Sequence, residues 1–458
     1  MDRADAAAIL DLAGRSRSAS ARRLSDPAFF PVAISDEDEA MSAGATELRH
    51  DAEVIGLVGF AHMLSHFLQL ILAPLFPLLK DEFGVGYAAL GLMVSVMYSV
   101  SGVSQTMAGF IVDRYGARRV LLFGMAAFSL ALLLTGLATS YWMLVAIALL
   151  AGIGNSVFHP ADFAILNAKV NPKRLGHAFS THGICGNFGW LTAPVFSIGI
   201  STAYGWRAVT IAAGVLGLLI TAIVASRRAL ATVQADAGGR RAQGARMGGL
   251  RQDMRSLMSR PVLKCFAFFT FCSMALIGLQ MFSVSVITTL YGAPLVTASA
   301  ALTGFLFGGI IGIVAGGFAA AHSGRHNLVA ATGVLIGATL TLLLASGMLP
   351  VWLLTGAMTL VGFFVFSAQP SRDILVRGAA PPGATGKVYG FVYSGLDLGA
   401  SLSPLLFGWL LDQHLPQWVF GGASLFMLVA VAAVVTLRPR RAADAEPGPG
   451  AMPEKSPS

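Results

Sequence analysis

The sequence predicts an all-α membrane protein, with twelve transmembrane helices arranged as two six-helix bundles repeated in parallel orientation. Three observations carry this. Hydrophobic residues make up 55% of the 458 and charged residues only 12%, and the mean hydropathy is +0.71. A soluble domain carries about 25% charged residues, so apolar surface in this excess needs lipid as its solvent. Apolar runs of about 20 residues, enough to cross a ~30 Å hydrocarbon core as a helix, recur twelve times. Glycines and prolines also recur at a near-constant offset between the two halves of the chain.

The first six runs lie near 54–79, 90–112, 120–138, 142–166, 177–201 and 208–225; the second six lie near 266–290, 299–321, 328–348, 351–376, 388–411 and 418–437. They are continuous and do not alternate with period two, so they read as helices and not as barrel strands. This divides the chain into a polar tail (1–50), a first bundle (51–226), a basic linker (227–263), a second bundle (264–437) and a second tail (438–458). Both tails read as disordered from composition. The first carries DEDE at 36–39 and no basic-then-apolar leader, and Met41 offers a second reading of the start.

The repeat is visible residue by residue. Gly109 and Gly116 match Gly317 and Gly324 at a shift of 208, while Pro160, Gly176, Gly189 and Pro194 match Pro370, Gly386, Gly399 and Pro404 at 210. Two like-oriented repeats of six helices are the plan of transporters with a shared central cavity.

Charge gives the orientation. Arg114, Arg118, Arg119, Lys169, Lys173, Arg174, Arg325, Arg372, Arg377 and Lys387 fall in one set of loops, against Lys80 and Arg207 in the other. Ten against two places the basic loops and both termini in the cytoplasm of a bacterial inner membrane. The linker holds Arg and Lys in excess and reads as a solvated segment near anionic headgroups, not as a nucleic-acid site. Cys185, Cys265 and Cys272 form neither a disulfide framework nor a metal quartet.

GFIVDRYGARR, at 109–119, sits in the turn after the second run. Gly109 permits close helix approach and Gly116 a tight turn. With Gly109, Asp113, Arg114, Gly116, Arg118 and Arg119 in place, the stretch resembles the signature that follows helix two in major facilitator transporters. In the second half Ala321 and His322 replace the Asp-Arg pair. A narrower resemblance is to the fosmidomycin-resistance branch of that superfamily. It rests on HMLSHFLQLILAPLFPLLKDEFG (62–84) and GIGNSVFHPADFAILNA (152–168), with His66 where the branch has an Asp and Ala161-Asp162 after F-H-P. The resemblance implies proton-driven export of a small molecule. It also implies a cytoplasmic gate in which Asp113 meets the N-terminus of helix eleven and Arg114 or Arg118 pairs with Asp162.

An ionisable group at mid-membrane costs about 2.5–3.5 kcal/mol on insertion scales, so each one needs a reason. His62, His66 and Gln69 share one face of the first run by their i, i+4, i+7 spacing. His66 lies roughly 18 Å deep, and Asp397 in the eleventh run lies at similar depth, preceded on its face by Tyr389 and Tyr393. His66 and Asp397 are candidate proton carriers, with an interhelical hydrogen bond as the other reading of His66. His159 and His182 would face each other across the inner mouth, and Gln280 and Gln369 offer hydrogen bonds to a substrate. Glycines 183, 186 and 189 would let the fifth run approach a neighbour, such as the eighth.

Catalysis finds no support. There is no GxxxxGK[ST] phosphate loop, no GxSxG elbow and no His/Cys cluster at metal-ligand spacing in the sequence. The expectation is therefore a monomeric secondary transporter, not an enzyme, that uses the proton gradient instead of a cofactor or metal. Its partners are a small organic solute, protons and the lipid bilayer. Uptake of an organic acid by proton symport is the alternative, and a non-transporting membrane sensor a third reading.

Overall fold

Hydrocarbon gives a backbone N–H or C=O nothing to bond outside its own helix. The computed structural model describes residues 36–230, 258–379 and 385–436, and among these there is no strand. The expected tails at 1–35 and 437–458, the linker over 231–257 and the loop at 380–384 lie outside the described residues.

The first crossing is α1 (Asp36–Leu70), a 3₁₀ turn and α2 (Phe76–Phe83), followed by α3 (Tyr87–Tyr115) and α4 (Ala117–Gly136). The fourth crossing is split into α5 (Tyr141–Asn155) and α6 (Phe158–Lys169), and α7 (Leu175–Ser226) completes the half. The second half comprises α8 (Arg260–Tyr291), α9 (Leu295–His322) and α10 (His326–Ala345). A split tenth crossing follows, α11 (Leu354–Ser367) and α12 (Gln369–Ala379), then α13 (Thr385–Asp412) and α14 (Gln417–Val435).

Among the described residues, eleven stretches are long and apolar enough to span a membrane. One of them, Pro172–Ser226, has 55 residues, or roughly 83 Å at 1.5 Å per residue, far beyond one bilayer. Gly205 breaks it with φ 77°, a backbone conformation that costs a side chain but not glycine. Counted as two crossings, 175–204 and 206–226, it brings the total to twelve. α1 begins at Asp36, earlier than the disordered tail through residue 50 allowed. Its sequence explains this: DEDE places acids at a helix N-terminus, and Ala, Met, Glu and Leu follow.

The internal repeat survives in three dimensions. Tyr87 and Leu295 open α3 and α9, 208 apart, while Leu175 and Thr385 open α7 and α13, 210 apart. Pro160 and Pro370 both fall in the first turn of the helix that restarts a broken crossing, where a missing N–H costs nothing. Gly189 and Gly399 make the same contact in each half. A Cβ on Gly189 would strike the Met63 carbonyl of α1, and one on Gly399 the Thr270 carbonyl of α8. The close-packing glycines of the fifth crossing, Gly186 and Gly189, thus face α1 and not the eighth crossing as expected.

Exposed aromatics mark one end of the bundle: Trp142, Trp352, Trp409, Trp418 and Tyr204 all lie near the turns that carry Lys80 and Arg207. Such a belt is what a headgroup region selects. The other end carries the basic turns. Between the ends, side chains such as Phe110, Leu149, Val195 and Phe318 point outward, as lipid contact requires. Gly189→Val should cost at least about 1–3 kcal/mol through overpacking, read as a lower midpoint of thermal unfolding in detergent. Gly199→Val is the matched control on the same helix, since a Cβ there meets nothing within 4 Å, and its midpoint should not move.

Candidate functional site

Three elements deliver ionisable groups to one point in the first bundle. α1 carries His62 and His66 one turn apart, α6 carries His159 and Asp162, and α7 carries His182 and Trp190. Asp162, one turn into α6, is fully buried. His182 Nε2 donates to Asp162 Oδ2 at 3.0 Å, and His62 Nδ1 stands 3.5 Å from the same oxygen. The His62 and His182 rings stack at 3.6 Å between centroids, 19° from parallel. His159, exposed on its open side, has its ring centroid 5.0 Å from that of His62. His66 stacks on Trp190 at 4.1 Å, with its Nδ1 buried and without a hydrogen-bond partner.

A second polar chain ties four elements together. Trp190 Nε1 donates to Gln69 Oε1 at 3.3 Å, Gln69 Nε2 to Asn155 Oδ1 at 2.7 Å, and Asn155 Nδ2 to Ser101 Oγ at 2.8 Å. Each amide in hydrocarbon thereby finds its partners, without which burial costs several kcal/mol. Gln69 also lines an apolar cavity with Met93, Met97, Phe128, Leu132 and Ala148, to which Met281 of α8 contributes from the second half. Sequence reasoning found Gln69 but missed Asn155, Ser101 and Trp190. The signal for Asn155 was present, a lone amide in the apolar run AGIGNSVF.

The halves meet along α3 and α13, which run antiparallel. Asp397, half-buried, lies against Gly102 of α3, and Tyr98 one turn earlier has a buried hydroxyl without a hydrogen-bond partner. At the aromatic-belt end, the Asp412 carboxylate accepts from Tyr87 N at 2.7 Å and Ala88 N at 2.8 Å. It thus caps the N-terminus of α3 with an anion from the other bundle, where the helix dipole favours one. No sequence expectation included Asp412.

The basic end differs. Asp113 is exposed and bonds no described residue. Arg114 lies over the Tyr115 ring at 5.6 Å. Arg118 Nη2 donates to the Ala225 carbonyl at 2.5 Å, a cation at the C-terminus of α7 and within its own bundle. The expected pairing of Arg114 or Arg118 with Asp162 is therefore absent, because the histidines claim that carboxylate. Gly116 adopts φ 87°, as its turn requires. Gly109 makes no close approach, since a Cβ there meets nothing within 4 Å; the helix end is open on that side.

Other expected residues are dispersed. Gln280 is buried on α8 and Gln369 opens α12 half-buried, and neither is hydrogen-bonded among the described residues. Tyr393 donates to Asp373 Oδ1 at 3.2 Å instead of serving Asp397; the Tyr389 side chain lies outside the described residues. Arg372, expected in a loop, is 12% exposed, pairs with Asp373 at 3.0 Å and lies over the Phe269 ring at 4.3 Å.

Known proteins share this architecture. The chain is 26% identical to the fosmidomycin resistance protein of Escherichia coli K12 over 385 residues, covering 82% of this chain and 92% of that one. It is 25% identical to the membrane sensor protein UhpC of the same strain over 371 residues, covering 76% and 81%. Among solved structures, a bacterial homolog of the human lysosomal transporter Spinster, in an inward-facing and occupied conformation, superposes with a TM-score of 0.66 at 13% identity, covering 84% of this chain and 96% of that one. A sequence profile of the Major Facilitator Superfamily matches residues 58–292 and 266–457. Those two stretches span both six-helix halves, and the chain belongs to the Major Facilitator Superfamily.

Proposed function

We propose that this member of a family of secondary transporters exports a small organic solute in exchange for protons, by alternating access, from the cytoplasm of a bacterium. The observation that carries the reading is the difference between the two ends of the α3/α13 contact. Asp412 fastens one end across the halves, while Asp113 is free at the other. The ten-to-two bias of Lys and Arg assigns the free end to the cytoplasm, so this is an inward-facing state with its outer end latched. Tyr87 stands beside Gly408 and Gly102 beside Asp397. Carried eleven residues beyond the Gly102–Asp397 pair alone, the antiparallel run brings Asp113 toward Gly386 in the first turn of α13. Rocking the halves together there would create the mirror of the Asp412 contact.

Proton coupling is supported by Asp162, held between His62 and His182 without water contact. A carboxylate among imidazoles can take and pass a proton while the cluster stays inside the membrane. Exchange is favoured over symport because a relative matched over 92% of its own length is named for fosmidomycin resistance. Uptake of an organic acid is the competing direction, and a non-transporting sensor draws support from the likeness to UhpC.

In everted vesicles, adding a transported solute should make the lumen more alkaline, whereas symport would acidify it and a sensor would change nothing. Asp162→Asn should lower proton-coupled flux at least about tenfold and flatten its pH dependence, the ordinary scale for a group that carries the proton. Loss of an anionic helix cap is worth about 0.3–2 kcal/mol. Asp412→Asn should therefore shift the population about 2–30-fold toward outward-open, read as faster labelling of a cysteine placed at Leu405 on a cysteine-free background. Asp113→Asn should slow labelling at the same site, because it weakens the competing inner latch.

A further inference from the structure

The cluster to which the transport reading gives a proton is also a set of metal-ligand atoms. We propose that His62, His159 and His182, with Asp162, form a binding site for a single divalent transition-metal ion of the Zn²⁺, Co²⁺ or Ni²⁺ class. The proposal goes beyond transport and does not depend on it, since binding needs neither a gradient nor a solute.

Geometry is the first support. One ring nitrogen from each of the three histidines lies within 4.8 Å of the others. Tetrahedral coordination with bonds of about 2.0–2.1 Å sets ligand atoms roughly 3.4 Å apart. Asp162 Oδ2 already meets that spacing, at 3.0 Å from His182 Nε2 and 3.5 Å from His62 Nδ1. Convergence on one ion requires the stacked His62 and His182 rings to turn out of parallel so that their in-plane lone pairs meet, and His159 to swing in from its exposed side.

Unpartnered atoms are the second, independent support. His62 Nδ1 and Asp162 Oδ1 are buried and have no hydrogen-bond partner, although their side chains are 3% and 0% exposed. Orphaned lone pairs this deep cost free energy unless something fills them. A single proton shared with His182 satisfies one oxygen of one carboxylate and leaves the rest unmet. A metal ion coordinated at the cluster's centre would occupy a lone pair on each histidine at once.

Chemistry sets the class. Three imidazoles and one carboxylate suit Zn²⁺, Co²⁺ and Ni²⁺ and disfavour Mg²⁺ and Ca²⁺, which demand oxygen ligands. The ligands come from three separate helices, which is why the sequence shows no metal-ligand spacing. Exposure of His159, alone of the three, gives an ion its way in from the open side. His66, stacked on Trp190 and tilted at 53° against His62, packs behind the His62 ring, as groups behind a metal site commonly do.

The test uses the untagged full chain, purified in detergent and stripped with chelator. Co²⁺ is titrated by its visible ligand-field absorption, and Zn²⁺ by equilibrium dialysis and by displacement of the bound Co²⁺. One ion per chain is expected, with the intense absorption of a tetrahedral nitrogen-oxygen site. His159→Gln and His182→Gln should each weaken binding by more than about tenfold, since even losing a supporting group behind a metal typically costs 10–100-fold. His177→Gln, exposed and outside the cluster, should leave binding unchanged. His159→Gln lies on the exposed side, so its folding is the least at risk, and a thermal-unfolding midpoint like that of the parent confirms it. Absence of binding by the parent chain, or undiminished binding by both His159→Gln and His182→Gln, would overturn the proposal. Solute transport that survives in a chain found not to bind metal would leave the transport reading intact, so the two fail separately.

Discussion

A polar group inside hydrocarbon must find its partners within the protein, and this constraint organises the molecule. It makes the backbone helical across every described crossing and confines irregular backbone to places where protein covers it. The breaks at Asn155–Phe158 and Ser367–Gln369 are such places. Asp162 stands among the histidines shortly after the first, and Arg372 lies over Phe269 shortly after the second. The same constraint explains the chain from Trp190 through Gln69 and Asn155 to Ser101, where each amide or indole group answers the next.

The halves share a frame and differ in what they hold. Gly189 and Gly399 bring the fifth and eleventh crossings onto the first and seventh by equivalent backbone contacts. Within that common frame the first half gathers four histidines and Asp162, whereas the second places an Arg372–Asp373 pair and Asp397. A duplicated scaffold can diverge this way because packing is set by glycine and backbone, and leaves the cavity-facing positions open.

Much of this was legible in the sequence because it depends on period and composition. Helix number, the repeat, the Gly116 turn and the shared face of His62, His66 and Gln69 all follow from local spacing. The cluster was only half legible. His159 and His182 could be set together at the inner mouth, but that Asp162 joins them depends on how α6 packs against α1 and α7, which no run length reveals. Asp412 was invisible for a different reason. Its partners are backbone amides 325 and 324 residues away, and a terminal acid on an apolar run looks like any other solvated charge. The close approach expected of Gly109 failed because a contact between the halves depends on conformational state, which no single sequence position encodes.

The Asp412 end of α3 and α13 sets a carboxylate from one bundle at the helix N-terminus of the other, and the proposed Asp113 contact would repeat that physics at the opposite end. The energies make this useful. An anion at a helix N-terminus contributes about 0.3–2 kcal/mol, small enough for thermal motion to break and large enough to bias two states. One proton crossing ~100 mV releases ~2.3 kcal/mol, comparable to the difference between two such latches. If each were worth much more, the molecule would stay in whichever state it entered. If each were worth nothing, both mouths would open together and the gradient would leak. In the proposed cycle Asp412 and Asp113 act at opposite ends of the same antiparallel helix pair, so a rocking motion that draws one end together favours opening of the other.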